Sequence, residues 1–583
     1  MTRHAHIPRR RFLQGLGAGA FLAGLQASFP LPLWARSEQW GLQGLPGPQS
    51  RYDLTIGYSP IVIDGREGIA TGINGTVPGP LVRLREGDDV VLNVTNALSD
   101  TAHSSIHWHG ILVPFPMDGV PGVNFAGIGP GETYPYRYRV RQAGTYWYHS
   151  HSFLQEQSGT YGPLIIDPKD GEPWRYDRDY VVVLSDWSFE KPETIFRHVN
   201  LLSHYYNYQQ RTMGEFLDDV DEKGFRATVA ERMAWGRMRM SPVDLADVTG
   251  ATYTYLMNGN SPEMNWTALF NPGETVRLRV INASAMSNFD VRIPGLDMQV
   301  VMADGKAVRP VGVHEFRIGV AETYDVLVTP KQDKPFTLFA ESLDRSGYAR
   351  GTLSPEAGLE APVPELRPRP VRQLDEIGMG MMLHGDMKHG KMQRDERLPR
   401  PDPRLPGPNG PEPFIPDEKD SPNVAMIVRN PRYRLDEPGI GLGDDGWRVL
   451  TYADLVADEP QVYAEQAERE MTINITANME RYMFSFDGMK FTEHPGPYLF
   501  RHNERLRLFL VNHTMMEHPI HLHGMWMQLE NGADELPYKH TILVKPGEAL
   551  SALITPIEKG DWAFHCHLLY HMEAGMFQVV RVA

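Results

Sequence analysis

The 583-residue sequence predicts an all-β chain of three related β-sandwiches, and two internal repeats and a scarcity of helical periodicity lead to that reading. The first repeat is GDDVVLNVTN (87–96), GETVRLRVIN (273–282) and NERLRLFLVN (503–512), each a polar turn, an alternating apolar run and Asn at the tenth place. Alternation sends one set of side chains to a core face, so each copy is expected to be the same strand of a separate sandwich. In the second repeat, PGETYPYRYRVRQAGTYWYHSH ends at His151 and PGEALSALITPIEKGDWAFHCH at His567, with 17 positions from Glu132 to His149 and 17 from Glu548 to His565. The middle copy begins AETYDVLVTP at Ala321, and the place of HSH and HCH is taken there by Phe339-Ala340-Glu341. Three domains of common descent follow, the middle one without metal-ligating residues at this place.

Taken in order, residues 1–36 read as an export leader. Arg9-Arg10-Arg11-Phe12-Leu13-Gln14 resembles the twin-arginine consensus, and the apolar run Gly15 to Leu25 behind it is too short to span a bilayer as a helix. A bacterial periplasmic destination is expected, with no stable membrane span in the mature chain. The first sandwich is assigned to 45–170 and the second to 175–345. Residues 346–415 break the pattern with Pro, charge and Met, as in RPDPRLPGPNGPEP, and read as a linker with an insert, after which 416–583 form the third sandwich. The formal charge of −16 disfavours nucleic acid and anionic membranes as partners. One cysteine, Cys566, excludes an internal disulfide and any Cys-rich zinc or iron–sulfur site, whereas 22 His and 27 Met supply other metal ligands.

Five His-x-His triplets occur where chance predicts roughly 0.8. His4/His6 lies in the leader. The others, His107/His109, His149/His151, His521/His523 and His565/His567, fall at matched places in the first and third repeats. Residues two apart on a strand point the same way, ~7 Å apart, so two imidazoles can converge on a metal cluster while the middle residue faces away. Between His565 and His567 the middle residue is Cys566, which lets one short stretch join two metal sites. Trp108 and Ser150 hold the corresponding places in the first domain, so the junction should exist once. A His₂Cys set with axial Met is the blue-copper arrangement, and His518, His571 and Met576 are at hand.

HWHG (107–110), WYHSH (147–151), HPIHLHG (518–524) and HCHLLYHMEAGM (565–576) resemble the four copper motifs of the multicopper oxidases. YLMNGNSPEMNWTALF (255–270), NPRYRLDEPGIGL (430–442), MERYMFSFDGMKF (479–491) and HLHGMWMQLE (521–530) extend the likeness to the periplasmic copper-resistance subfamily, across all three domains. The resemblance implies cupredoxin-like Greek-key sandwiches with a copper cluster between the first and third, and four copper ions. Type 1 copper would be held by His518, Cys566, His571 and Met576, and type 2 by His107 and His521. The type 3 pair would be held by His109, His149, His151, His523, His565 and His567. It also implies that Asp118, in MDGVPG, is the acid near the type 2 copper. Many members carry a second acid directly after the position of His571, but here Met572 stands there, and Glu573 is the candidate.

The expected reaction is one-electron oxidation of a donor, foremost Cu(I) to Cu(II), coupled to four-electron reduction of O2 to water in copper resistance. Soft thioethers offer Cu(I) a way in: Met515 and Met516 before His518, Met525 and Met527 after the HLH triplet, and Met379, Met381, Met382, Met387 and Met392 in the insert. Other partners would be O2, a small reducing substrate and periplasmic copper-handling proteins. The alternatives are a laccase-like oxidase of phenols or aromatic amines, and a copper-binding protein without turnover.

Overall fold

The structure, a computed structural model, describes residues 46–99, 101–379, 414–416, 421–459 and 466–583. The leader and Met381, Met382, Met387 and Met392 lie outside these residues.

Six sheets pair off into three sandwiches. In the first, Arg66–Ile73, Arg51–Ile63, Asp89–Asn96 and Thr133–Arg139 form one sheet, in that order. Val82–Arg85, Tyr161–Asp167, Gly144–His149 and His107–His109 form the facing sheet. The second and third sandwiches repeat the plan around Val276–Asn282 and Leu506–Asn512, each in a six-stranded sheet. The chain thus folds as three cupredoxin-like domains. One hydrophobic core runs through the second and third and takes in a side of the first, including Ile61, Trp147 and Ile165, and another lies inside the first.

The tenth-place asparagine of the first repeat has a physical reason. Asn96, Asn282 and Asn512 are buried where their strands end, and each makes the same three hydrogen bonds. The side-chain amide donates to a nearby loop carbonyl (Ala102, Ser287, Met516) and to a more distant one (Ile128, Ile318, Val544). Its oxygen accepts from the backbone N–H two residues on (Leu98, Ser284, Thr514). Each copy so fixes the loop leaving its strand, and in the third domain that loop leads directly to His518.

Three features differ from the sequence reading. Helices Pro192–Leu201, Met213–Lys223 and Phe225–Met238 interrupt the second sandwich, the middle one started by a Thr212/Glu215 capping box that a search for strand alternation passes over. Tyr348–Ser354, assigned to the linker, pairs antiparallel with Phe336–Ser342 in the second sandwich. Val449–Leu450, assigned to the third domain, pairs parallel with Glu315–Ile318 of the second, because the chain crosses back over that domain before its last sandwich begins at Arg469. In the second domain Glu341, at the place of His151 and His567, is buried in an ion pair with Arg292 at 2.7 Å.

Candidate metal centre

Strand pairing brings the histidines together. His107 lies opposite His149 and His109 opposite Trp147 across one antiparallel pair, and His521 opposite His565 and Ile520 opposite Cys566 across another. The pleat turns the middle residues away: Trp108 packs in the first core against Tyr136, Ser150 donates to Gln155, and Cys566 faces His518 and His571.

The eight imidazoles of the four paired triplets make one cluster between the first and third domains. Nε2 of His565 lies 3.3 Å from Nε2 of His151 and 3.1 Å from Nε2 of His523. The rings of His107 and His523 lie 3.9 Å apart, those of His109 and His521 3.8 Å, and those of His149 and His567 4.9 Å. Acceptors on the outer side orient the rings. Nδ1–H of His107 donates to the Asp118 carbonyl (2.8 Å), of His149 to Glu156 (2.6 Å), and of His521 to the His540 carbonyl (2.7 Å). Nδ1–H of His523 donates to Asp118 Oδ2 (3.0 Å) and of His565 to the Cys566 carbonyl (2.9 Å).

A proton on Nδ1 leaves a lone pair on Nε2. Nε2 of His107, His149, His521 and His567 is buried without a hydrogen-bond partner, and those of His151, His523 and His565 converge. Burial, and then the neighbouring imidazoles, hold His149, His521 and His523 well below the usual histidine range; burial lowers His565 to about 4. Those four rings are therefore neutral, and an unsatisfied buried acceptor costs about 1–3 kcal/mol. A metal cation removes that cost at several nitrogens together, and neutral imidazole suits copper.

A second triangle lies on the far side of Cys566. Its Sγ is 3.5 Å from Nδ1 of His518 and 3.8 Å from Nδ1 of His571, and the two nitrogens are 3.3 Å apart. The outer nitrogens are held by Thr514 Oγ1 (2.8 Å to His518) and Asp247 Oδ2 (2.6 Å to His571). Met576 is fully buried and tied into the same loop, its carbonyl accepting from the Cys566 N–H (3.2 Å) and its N–H donating to the His571 carbonyl (3.0 Å). Burial pushes the Cys566 thiol up, so the thiolate forms only with a cation in the triangle, and an SN₂ set fits copper.

Asp118 is 1% exposed and touches ligands of both domains. Its Oδ2 accepts from His523 and from Asn124 (2.8 Å), while Oδ1, 3.4 Å from Nδ1 of His107, has no hydrogen-bond partner. Gly119 follows at φ +88°, and a Cβ there would lie 1.9 Å from the Ile106 carbonyl oxygen, so glycine permits this approach. Gly110 in HWHG has the same office: a Cβ would lie 2.4 Å from the ring of His540.

The structure corrects two expectations. Glu573 ends a short helix, Leu569–Glu573, with an exposed side chain, because two residues, about half a turn, set it opposite the face that buries His571. Met525 and Met527 are packed in the main core, Met525 in the bend after the His521/His523 triplet and Met527 on the strand Met527–Leu529, so they open no way in from solvent. Met515 and Met516 are also buried, but beside His518. Three residues went unnoticed in the sequence: Glu156, Asp247 and His540. None belongs to a repeat or triplet. His540 reaches the cluster because Asp304 of the second domain accepts from its N–H and that of Thr541, both at 3.1 Å.

Removing Glu156 is expected to loosen the cluster. Glu156→Leu should weaken copper retention by about 10- to 100-fold, measured as metal remaining after dialysis against a chelator, while Glu156→Gln, which keeps an acceptor for His149, should retain most of it. Acid gives a second check. His565 is 1% exposed, with a folded value of about 4 against an unfolded one of about 6.5, so between these values the unfolded chain holds more protons. Stability of the metal-free protein is then full above about pH 6.5 and lost as pH falls towards 4, by up to about 3 kcal/mol from His565 alone. Its Tm should drop over that window, and copper should move the drop to lower pH.

Family models described as multicopper oxidase match residues 55–171, 178–357 and 465–583. The chain is 49% identical to the copper resistance protein A homolog of Pseudomonas syringae pv. tomato (strain DC3000), over 98% of this chain and 99% of that protein. It is 47% identical to copper resistance protein A of Escherichia coli, over 98% and 99%. Among solved structures, Fet3p, a multicopper oxidase that functions in iron import, superposes with a TM-score of 0.62 at 18% identity, over 91% of this chain and 90% of that one, a likeness of fold.

Proposed function

Since the chain belongs to the multicopper oxidase family, as a member of the copper resistance protein A type, and is therefore an oxidase that uses oxygen, we propose that it oxidises Cu(I) to Cu(II) and reduces O2 to water in copper resistance. The observation that supports this most is the set of buried, neutral, outward-tethered imidazoles whose inner nitrogens lack partners on one side of Cys566, with the His518–Cys566–His571 triangle on the other. Four copper ions would supply the redox chemistry when bound: one at His518, Cys566, His571 and Met576, one at His107 and His521, and a pair at His109, His149, His151, His523, His565 and His567.

The balanced reaction takes four Cu(I), four protons and one O2 to four Cu(II) and two waters. The chain's part is to separate electron delivery from oxygen chemistry and to bring protons. Asp247 fixes the outer edge of His571, where a donor meets the site, and Cys566 is joined by single peptide bonds to His565 and His567. Asp118, its Oδ1 unpartnered beside His107, can hold a proton at the cluster without losing the bond from His523. The buried rings keep water from competing for their inner nitrogens.

Met515 favours Cu(I) over a phenol as donor, because it lines a cavity together with Asp244 and Asp247 at that outer edge. We place the protein in the periplasm on the strength of the twin-arginine-like motif at 9–14; no helix of the described residues is long and apolar enough to cross a membrane. The test is copper counting with optical and EPR spectra, followed by kcat/KM for Cu(I) and for a substituted phenol at measured O2 uptake. Four coppers, a blue band and preference for Cu(I) are expected. Preference for the phenol makes the protein laccase-like, and a loaded sample that consumes no O2 with either donor makes it a binding protein.

A further inference from the structure

We propose that Glu517, paired with Arg317 of the second domain, is a positioning residue that sets the reduction potential of the Cys566 site; this rests on the copper ligation proposed above for His518, Cys566, His571 and Met576. The second domain has no His-x-His triplet, yet it grips that site from two sides. On one side Asp247 accepts from Nε2–H of His571 at 2.6 Å, and the Ala285 carbonyl accepts from the N–H of Leu569 at 2.9 Å. On the other, Glu517 directly precedes His518 and reaches back into the second domain, where its Oε1 accepts from Nη1 of Arg317 at 3.1 Å. Glu517 and Asp247 line one narrow cavity, together with Asp344 and Met516.

Arg317 is itself held in place. It lies opposite Asp290 on the antiparallel strands Phe289–Arg292 and Glu315–Ile318. A fork of two bonds joins them, Nε to Oδ1 at 2.8 Å and Nη2 to Oδ2 at 2.9 Å. Arg345 adds an ion pair to Oδ2 of Asp290 at 2.6 Å. Burial raises the Asp290 carboxyl, but Arg317 and Arg345 hold it down at about 2, so the group is ionised. Nη2 of Arg317 also donates to the Ile440 carbonyl at 2.8 Å, within NPRYRLDEPGIGL (430–442). Gly439 admits the guanidinium there, since a Cβ would lie 2.0 Å from its Nη1.

Charge does not cancel at this junction. Arg372 follows the second domain in the chain and is tied to it by its N–H, which donates to the Pro242 carbonyl at 2.9 Å. Its Nη2 lies 3.9 Å from the same Oε1 of Glu517. Arg317, Arg345 and Arg372 are thus set against Asp290 and Glu517, and no side chain of the five is more than 6% exposed. A buried ion pair is weak evidence for stability, because apolar residues of similar volume often serve as well. What this one supplies is a fixed field behind His518. Reduction takes one positive charge from a bound copper, so nearby positive charge favours the reduced state and negative charge the oxidised one. Glu517 offsets Arg317 and Arg372 beside the ligand, and so keeps the potential below the value that the guanidiniums alone would impose.

Glu517→Gln keeps the shape and removes one negative charge, and Arg372→Gln removes one positive charge. Each copper-loaded full chain is equilibrated without oxygen against a redox dye of fixed potential, with the blue band as the readout. The equilibrium constant for reducing the Cys566 site should rise at least about threefold in Glu517→Gln and fall by a similar factor in Arg372→Gln. Glu517→Asp, which keeps the charge, should stay close to the unaltered protein. A tether without an electrostatic role would move both glutamine variants the same way or neither. Shifts that are absent or of one sign overturn the proposal and leave the copper ligation standing. An unaltered protein that takes up copper without a blue band overturns the ligation, and this proposal with it. If Glu517→Gln fails to load copper, Arg372→Gln decides alone: a lower constant supports the proposal, and an unchanged or higher one overturns it.

Discussion

Cys566→Ser is expected to abolish the blue band and to cut donor oxidation by upwards of roughly 10²-fold, while the histidine cluster keeps its copper. The reasoning follows from where the sulfur points. Cys566 Sγ faces Nδ1 of His518 and His571, whereas the ligating nitrogens of its neighbours His565 and His567 lie among the eight clustered rings on the opposite side of the strand. Serine has nearly the same shape, so the strand Gly560–Cys566 and its pairing with His518–Leu522 should persist. A hydroxyl, however, is a hard and weakly acidic ligand, and it supplies neither the thiolate charge transfer behind the colour nor the soft member of the triangle. Optical and EPR spectra with metal counting decide the matter. Loss of cluster copper along with the blue band would show that the two sites are not built independently. Retained turnover would show that electrons bypass the cysteine.

Asp118→Asn should lower O2 consumption by about 10²- to 10³-fold with the blue band unchanged. The carboxylate has two separable duties. Oδ2 accepts Nδ1–H of His523, which an asparagine oxygen can also do; Oδ1 has no hydrogen-bond partner and is placed to take up and release a proton, which an amide cannot. Rapid reduction of the Cys566 site by donor under anaerobic conditions should therefore survive, and reoxidation by O2 should become slow. If reoxidation is as fast as in the unaltered protein, Asp118 only orients His523. If the variant instead loses cluster copper, orientation was its main contribution.

The tests follow a division visible along the chain. The four triplets were legible because a strand's period of two is local: His565 and His567 must share a face and Cys566 must leave it, whatever the rest of the chain does. The repeats were legible for a similar reason, since Asn96, Asn282 and Asn512 each close hydrogen bonds within their own domain. Glu573 was misplaced because it was judged by nearness in sequence to His571, and about half a helical turn was enough to carry it outwards. Met525 and Met527 were misjudged because a methionine two or four residues after a ligand triplet reads alike whether it faces core or solvent.

What the sequence determined by itself was the all-β class, the number of sandwiches, which two bear ligands, and the side of the strand on which Cys566 lies. Those depend on periodicity and on residue type, both written locally. Only the tertiary structure decided which acceptor orients each ring. Glu156 reaches His149 through a loop, Asp304 of the second domain fixes the backbone that presents His540, and Asp247 comes 324 positions before His571 to meet it. Such partners carry no periodic signal, because a hydrogen bond from a loop, or across a domain boundary, is set by how the loop folds and how whole sandwiches pack.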